Sequence, residues 1–438
     1  MGLDRTTDMK LRLGFFILVS LMPAPAGLRA QVAGDPLKCL SIADSGAVAD
    51  GKTLNTKAIQ EAIDLLATGG GGTLVVPKGI FLTASIFLKP SVNLHLEEGA
   101  VLKGSTNASD YPRMRTRIEG HYEQNFLPAL VNADRCDRLN ISGTGILDGS
   151  GEPYWQAFWA GHAANKSFKN LDVLRPQMAL IENSEGVRIT GITFKDSPFW
   201  TLHLYRCSNA LVENVRFEVP DGKKCPSSDG IDVDSCQNVT IRGCTFRVDD
   251  DCICMKGSKG PLAMEDTDSP PVEHIRVENC VFERGHGVVT LGSEATVVRD
   301  VVVENCKSTG PIVLARLKLR PDTPQRYEDI HFRNITLENS RGGVILSVQP
   351  WNQYFELKGQ QPLKSIVRNV TLSDIKGCYG SFGVFKNIPG QSDISDITLK
   401  DFNVQLKGEE LNGCDEVKNL KLENVTVNGK AFTYSPKQ

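Results

Sequence analysis

At 438 residues the chain has room for two or three average domains, although solenoids of this length fold as one. Its 40% hydrophobic and 23% charged residues are the values of an ordinary soluble globular protein. A net charge of -3 excludes the basic footprint of a nucleic-acid-binding protein and any polybasic membrane patch.

The first 30 residues read as a signal peptide. Met9-Lys10-Leu11-Arg12 supplies a positive start, and Leu13 to Met22 is an apolar run too short to span a bilayer. Small residues follow at Ala24, Ala26 and Ala30, which places cleavage near Ala30 and makes the mature protein secreted or periplasmic. No second membrane-length apolar stretch follows Gln31, so no membrane span is expected. From Asn55 to Ala67, apolar residues at Ile59, Ala62, Ile63, Leu65 and Leu66 predict a helix with Asn55 or Thr56 as its cap. Gly69 to Gly72 ends it, and strands begin at Thr73-Leu-Val-Val-Pro77.

A degenerate repeat then runs to the end of the chain. Its unit is two short alternating strands joined by a polar corner, as in Val187 to Phe194, Leu211 to Phe217, Val239 to Phe246, Ile275 to Phe282, Ile330 to Leu337 and Leu420 to Val427. No such unit can bury its apolar face alone. Stacked coil on coil, the units predict an all-β protein, a right-handed parallel β-helix over residues 31–438 as a single catalytic domain, with the N-terminal helix covering its open end. Cys244, Cys280 and Cys306 recur at one repeat position and are read as a buried thiol ladder, not as disulfides. The Asn-X-Thr triplets at Asn238, Asn334, Asn369 and Asn424 fall on repeat corners and are read as structural rather than glycosylated.

Two acidic segments lie about one coil apart. Asp229 stands in Ser227-Ser-Asp-Gly-Ile-Asp-Val-Asp234, and Asp249, Asp250 and Asp251 precede Cys252, 21 residues separating Asp229 from Asp250. Neighbouring coils of a parallel sheet sit about 4.8 Å apart, so these acids stack on one face. Crowded like charges raise at least one pKa, which suits a general acid beside an ionised base; a solvated or ion-binding acidic turn has the same composition. Asp232 and Asp234 alternate with Ile231 and Val233 and are assigned to structure or the substrate rim. Gly285-His286-Gly287 marks a corner open to close ligand approach. On the next coil Arg316 and Lys318 share one strand face, where paired cations can hold a carboxylate. Tyr154, Trp155 and Trp159 lie in an insert that serves either as a sugar-stacking wall or as packing. No CxxC or clustered His/Cys spacing supports a metal, and no cofactor is expected.

Taken together, Asp229-Gly230, Asp250-Asp251-Cys252, Gly285-His286-Gly287 and Arg316-Leu317-Lys318 resemble the Asp-Gly, Asp-Asp-Cys, Gly-His-Gly and Arg-Ile-Lys segments of the polygalacturonases of glycoside hydrolase family 28. The resemblance implies an inverting, polygalacturonase-like glycosidase that cleaves pectin containing α-linked galacturonic acid. It implies that Asp250 protonates the leaving oxygen, Asp229 and Asp251 position and deprotonate water, and His286 steadies the acids. Arg316, Lys318 and Lys256 would bind a uronate of a pectic polysaccharide or oligogalacturonide, the protein acting as a monomer without a metal. Ser227-Ser228 departs from the family's Asn-Thr, Asp249 stands where Gln is common, and Tyr354 is the candidate for a late active-site tyrosine. These departures open the way to rhamnogalacturonan or decorated pectin. The alternatives are a Ca²⁺-dependent pectate-lyase-like enzyme, recognised by unsaturated products, and a non-catalytic carbohydrate-binding β-helix. Loops near 104–127, 150–175 and 355–363 decide between exo and endo action by blocking or opening the groove.

Overall fold

The computed structural model describes residues 39–339, 341–351 and 364–434. The signal-peptide segment, Tyr354 and the 355–363 loop lie outside the described residues.

Alternating apolar residues put one side of every strand inward, and among the described residues 31 strands join one ladder. Every pairing in it is parallel except the closing hairpin of Thr426–Val427 with Lys430–Ala431. Parallel crossovers of this kind coil right-handedly, giving the expected β-helix. Each middle coil contributes three short strands, one more than the sequence repeat predicts. Ile231–Asp234, Gln237–Arg242 and Thr245–Arg247 pair with Ile253–Lys256, Val272–Glu278 and Val281–Arg284 of the next coil. The unforeseen strand escapes an alternation test because loops cover its outer face: all four residues of Ile231–Asp234 are buried.

Inside, identical repeat positions stack. Phe194, Phe217, Phe246 and Phe282 form a column of parallel rings with centroids 5.2, 5.0 and 5.1 Å apart. Cys244, Cys280 and Cys306 are likewise stacked, buried and free, and Cys207 and Cys236 make a second such pair. The corners require left-handed backbone, which Asn tolerates better than most residues. Asn238, Asn334, Asn369 and Asn424 all have φ between 52° and 56°. Three of them also donate along the stack, Asn334 to Asn305, Asn369 to Asp329 and Asn424 to Asp401.

The helix runs Thr56–Thr68, with Ile59, Ala62, Ile63 and Leu66 in the main core, so it seals the first coils. Leu65 faces solvent at 53% exposure. Asn55 makes no side-chain cap; its amide is spent on Val48, Thr53 and Leu82, tying the helix to the strands.

Candidate active site

The unforeseen strand of each coil carries the site. Register places Asp232, Cys254, Thr290 and Arg316 in one outward row across four coils, with His203 before Asp232. A second row holds Tyr205, Asp234 and Lys256. The coil is 22 residues here, so Asp229 stacks on Asp251 through Gly230 N–H to Asp251 O, 3.0 Å, rather than on Asp250. Asp250 stacks instead on His286, whose backbone N–H donates to its carbonyl at 2.8 Å.

Asp251 is fully buried and is gripped by Arg316 Nη1 at 2.8 Å and Lys318 Nζ at 2.7 Å. Burial alone raises its pKa, but Lys318 and Arg316 overcome this and hold Asp251 far below the usual carboxylate range. The two cations expected to meet a substrate uronate therefore already have an internal partner. The ring of Trp351 lies against both, its centre 5.2 Å from the Arg316 guanidinium and 4.7 Å from Lys318 Nζ.

Asp229 is 3% exposed; burial first, and the charge of Asp250 second, push it up to about 8. Asp250 is more open. Burial raises its pKa, yet His286, Nδ1 3.1 Å from Oδ1, brings it below its ordinary value. The same contact lifts the half-exposed His286 to about 9. Near neutral pH these shifts favour a proton on Asp229 and on His286 and negative charge on Asp250 and Asp251.

Asp232 and Asp234 are not rim residues. Both point away from the core but are fully buried. Asp232 has Lys256 Nζ at 3.9 Å and no hydrogen-bond partner, and burial followed by Asp229 pushes it well up. Asp234 pairs with Arg117 and His203, and against the effect of burial these bring it down to about 2. Lys256 also faces Glu294 at 3.4 Å and lies 4.6 Å from the centre of the Trp200 ring. Asp249 accepts from the Cys225 N–H at 2.7 Å. Among the described residues only Asp229, Asp251 and Cys254 bring possible metal-ligating atoms within 4.8 Å of one another, and two cations on Asp251 oppose a metal there.

Asp229, Asp250, Lys256, His286, Arg316 and Lys318 line a cavity of about 1420 Å³. Towards the N-terminal coils it meets an inserted hairpin, whose Glu119, Tyr122 and Phe126 are among its lining. The hairpin of Met114–Ile118 and His121–Phe126 lies across the groove face, with Tyr122 donating to Glu182 and packing edge-on against Tyr205. Ile118 and Leu171 pack on Phe199 and Trp200, and Asn170 donates to Glu119 at 2.5 Å, joining the two walls. Ser227, one of the two departures beside Asp229, donates to the same Asn170 at 3.1 Å. Tyr154 and Trp155 are buried and spend their polar atoms on Ser105 O and Ser197 O, so they pack under the insert. Trp159, 38% exposed, remains on the cavity wall.

The family model described as Glycosyl hydrolases family 28 matches residues 70–427. A probable polygalacturonase of Vitis vinifera is 29% identical over 69% of this chain, which spans 61% of that relative's length. An exo-poly-alpha-D-galacturonosidase of Dickeya chrysanthemi is 28% identical over 90% of this chain and 75% of its own. The crystal structure of a hyperthermoactive exopolygalacturonase from Thermotoga maritima aligns with a TM-score of 0.74 at 25% identity, covering 91% of this chain and 93% of that one.

Proposed function

Since the chain belongs to glycosyl hydrolase family 28, we propose that it is an inverting pectin hydrolase that removes galacturonate from the closed end of its groove, an exo-acting enzyme. The observation that supports the exo reading is the hairpin, which contacts the sheet at Glu182 and Tyr205 on the coils before Asp229 and is joined through Glu119 to Asn170, next to Leu171. The names of the Dickeya and Thermotoga proteins point the same way. Export to the periplasm or cell exterior, where pectic polymers are met, is part of this reading; no helix among the described residues is long and apolar enough to cross a membrane.

In the reaction, Asp250 at the cavity surface protonates the leaving oxygen. A sugar laid over it excludes water and raises its proton affinity, and protonated His286 at 3.1 Å resupplies the proton. Asp229 and Asp251, whose side chains approach each other across adjacent coils, hold the attacking water on the opposite face, and Asp251, the charged one of the two, takes its proton. The proton resting on Asp229 in the free site favours a second reading, in which Asp229 is the acid and Asp250 the base.

Product analysis on polygalacturonate and short galacturonides tests the proposal. Monomer should appear from the outset with slow loss of viscosity, and its anomeric configuration should be inverted. Early mixed oligomers would overturn the exo reading.

Arg316→Ala is expected to lose about 1.5–3 kcal/mol of charge-assisted hydrogen bonding in kcat/KM. Because Arg316 both lines the cavity and holds Asp251, kcat should fall as KM rises. A rise in KM alone would mean that Arg316 serves only the substrate.

A further inference from the structure

The hairpin that closes the pocket cannot hold its own place. Its two strands pair only with each other and join no other sheet, and an isolated two-stranded hairpin is marginal in water. Its position must come from side chains: Ile118 packs on Phe199 and Trp200, and beside it Arg117, 2% exposed, is the buried one that carries a charge. Arg117 donates from Nε to Asp234 Oδ2 at 2.9 Å, from Nη2 to Asp234 Oδ1 at 3.3 Å and from Nη2 to Gly257 O at 3.1 Å. Asp234 Oδ2 also meets His203 Nε2 at 3.2 Å, and His203 Nδ1 meets Gln177 Oε1 at 2.8 Å. The Gln177 amide returns to the hairpin, donating to Arg117 O at 2.9 Å. Side chain and backbone of one hairpin residue are thus both held in a ring of buried contacts, in which a neutral His203 donates to one neighbour at a time, and Arg117 also stacks over Tyr205 at 4.4 Å.

We propose that this Arg117–Asp234–His203–Gln177 ring is a latch that determines where the enzyme cuts. Resting on the exo reading above, it makes Arg117 and Asp234 the residues that set exo over endo action. The latch is all-or-none. Lifting the hairpin strips Arg117 from Asp234 and leaves a buried charge without its main partner, which forbids partial opening. It is also in register with the chemistry. Asp234 sits at the end of the strand that follows Asp229, so the rigid sheet that places the acids fixes the distance to the closed end. The contacts of the tip, Glu119 with Asn170 and Lys259 with Glu119 at 3.9 Å, add to those of the ring. Neither Arg117 nor Asp234 lines the cavity, so both are positioning residues.

The test is Arg117→Ala beside the double variant Arg117→Met/Asp234→Asn, which replaces the buried ion pair by uncharged groups of similar size and preserves the fold. Each is assayed on polygalacturonate for viscosity lost per reducing end formed, and on galacturonide oligomers bearing a bulky 4-O substituent at the non-reducing end. Wild type should release monomer and spare the blocked oligomers. The unlatched variants should gain several-fold in viscosity lost per bond cut, release oligomers and cleave the blocked substrates internally. Folded variants that lose activity but still release only monomer would overturn the latch, since simple destabilisation lowers both readouts together. Mixed oligomers from the wild type itself would instead remove the exo reading, and the latch with it.

Discussion

Asp250→Asn is expected to fold and bind normally while lowering kcat on polygalacturonate by roughly 10²–10⁴, the usual worth of general acid catalysis. The amide keeps the shape of the carboxyl but can neither carry nor return a proton. An aryl galacturonide whose leaving group needs no protonation separates the two assignments of the acids. If Asp250 is the acid, the variant should recover most of its activity on that substrate, and Asp229→Asn should not. The opposite pattern would exchange the roles. The substitution also removes the charge that lifts His286 to about 9, so the imidazole should titrate lower, which proton NMR of the ring can follow.

Asp229→Asn should cost a comparable roughly 10²–10⁴ in kcat and at the same time stabilise the fold. Asp229 titrates near 3.8 in the unfolded chain and about 8 in the fold. Below pH 3.8 both states carry the proton and the group is silent. Between the two values only the unfolded chain ionises, so the wild type loses stability as pH rises through that window, and above about 8 the loss is complete. The asparagine variant has no such term. Its melting temperature should exceed that of the wild type by a margin that widens from pH 4 to 8 and then levels. A margin that stays constant with pH would show that Asp229 is ionised in the folded protein throughout.

Both predictions concern residues whose type and neighbourhood were legible in the sequence, while their electrostatic state was not. The β-helix itself was readable because its signals are local: alternating apolar residues, left-handed corners at Asn and Gly, and a repeat that puts like residues on like positions, as Phe194, Phe217, Phe246 and Phe282 do. The segments bearing Asp229, Asp250, Asp251, His286, Arg316 and Lys318 were readable for the same reason, since successive coils bring them side by side.

What the chain order could not express is which neighbour each one meets. Coil lengths vary, so the 21-residue spacing that pointed to Asp250 gave way to a 22-residue register that stacks Asp229 on Asp251. Asp251 meets Arg316 and Lys318 from 65 and 67 residues away, so the two cations that line the cavity also support a buried carboxylate. Arg117 reaches Asp234 across 117 residues, and no periodic pattern marks a contact between an inserted hairpin and the sheet it covers. The repeat positions are fixed by short-range apolar burial, which is written into every coil. The walls of the cavity depend on how unrepeated inserts dock, and the pairing of its charges on contacts formed only once the coils have stacked.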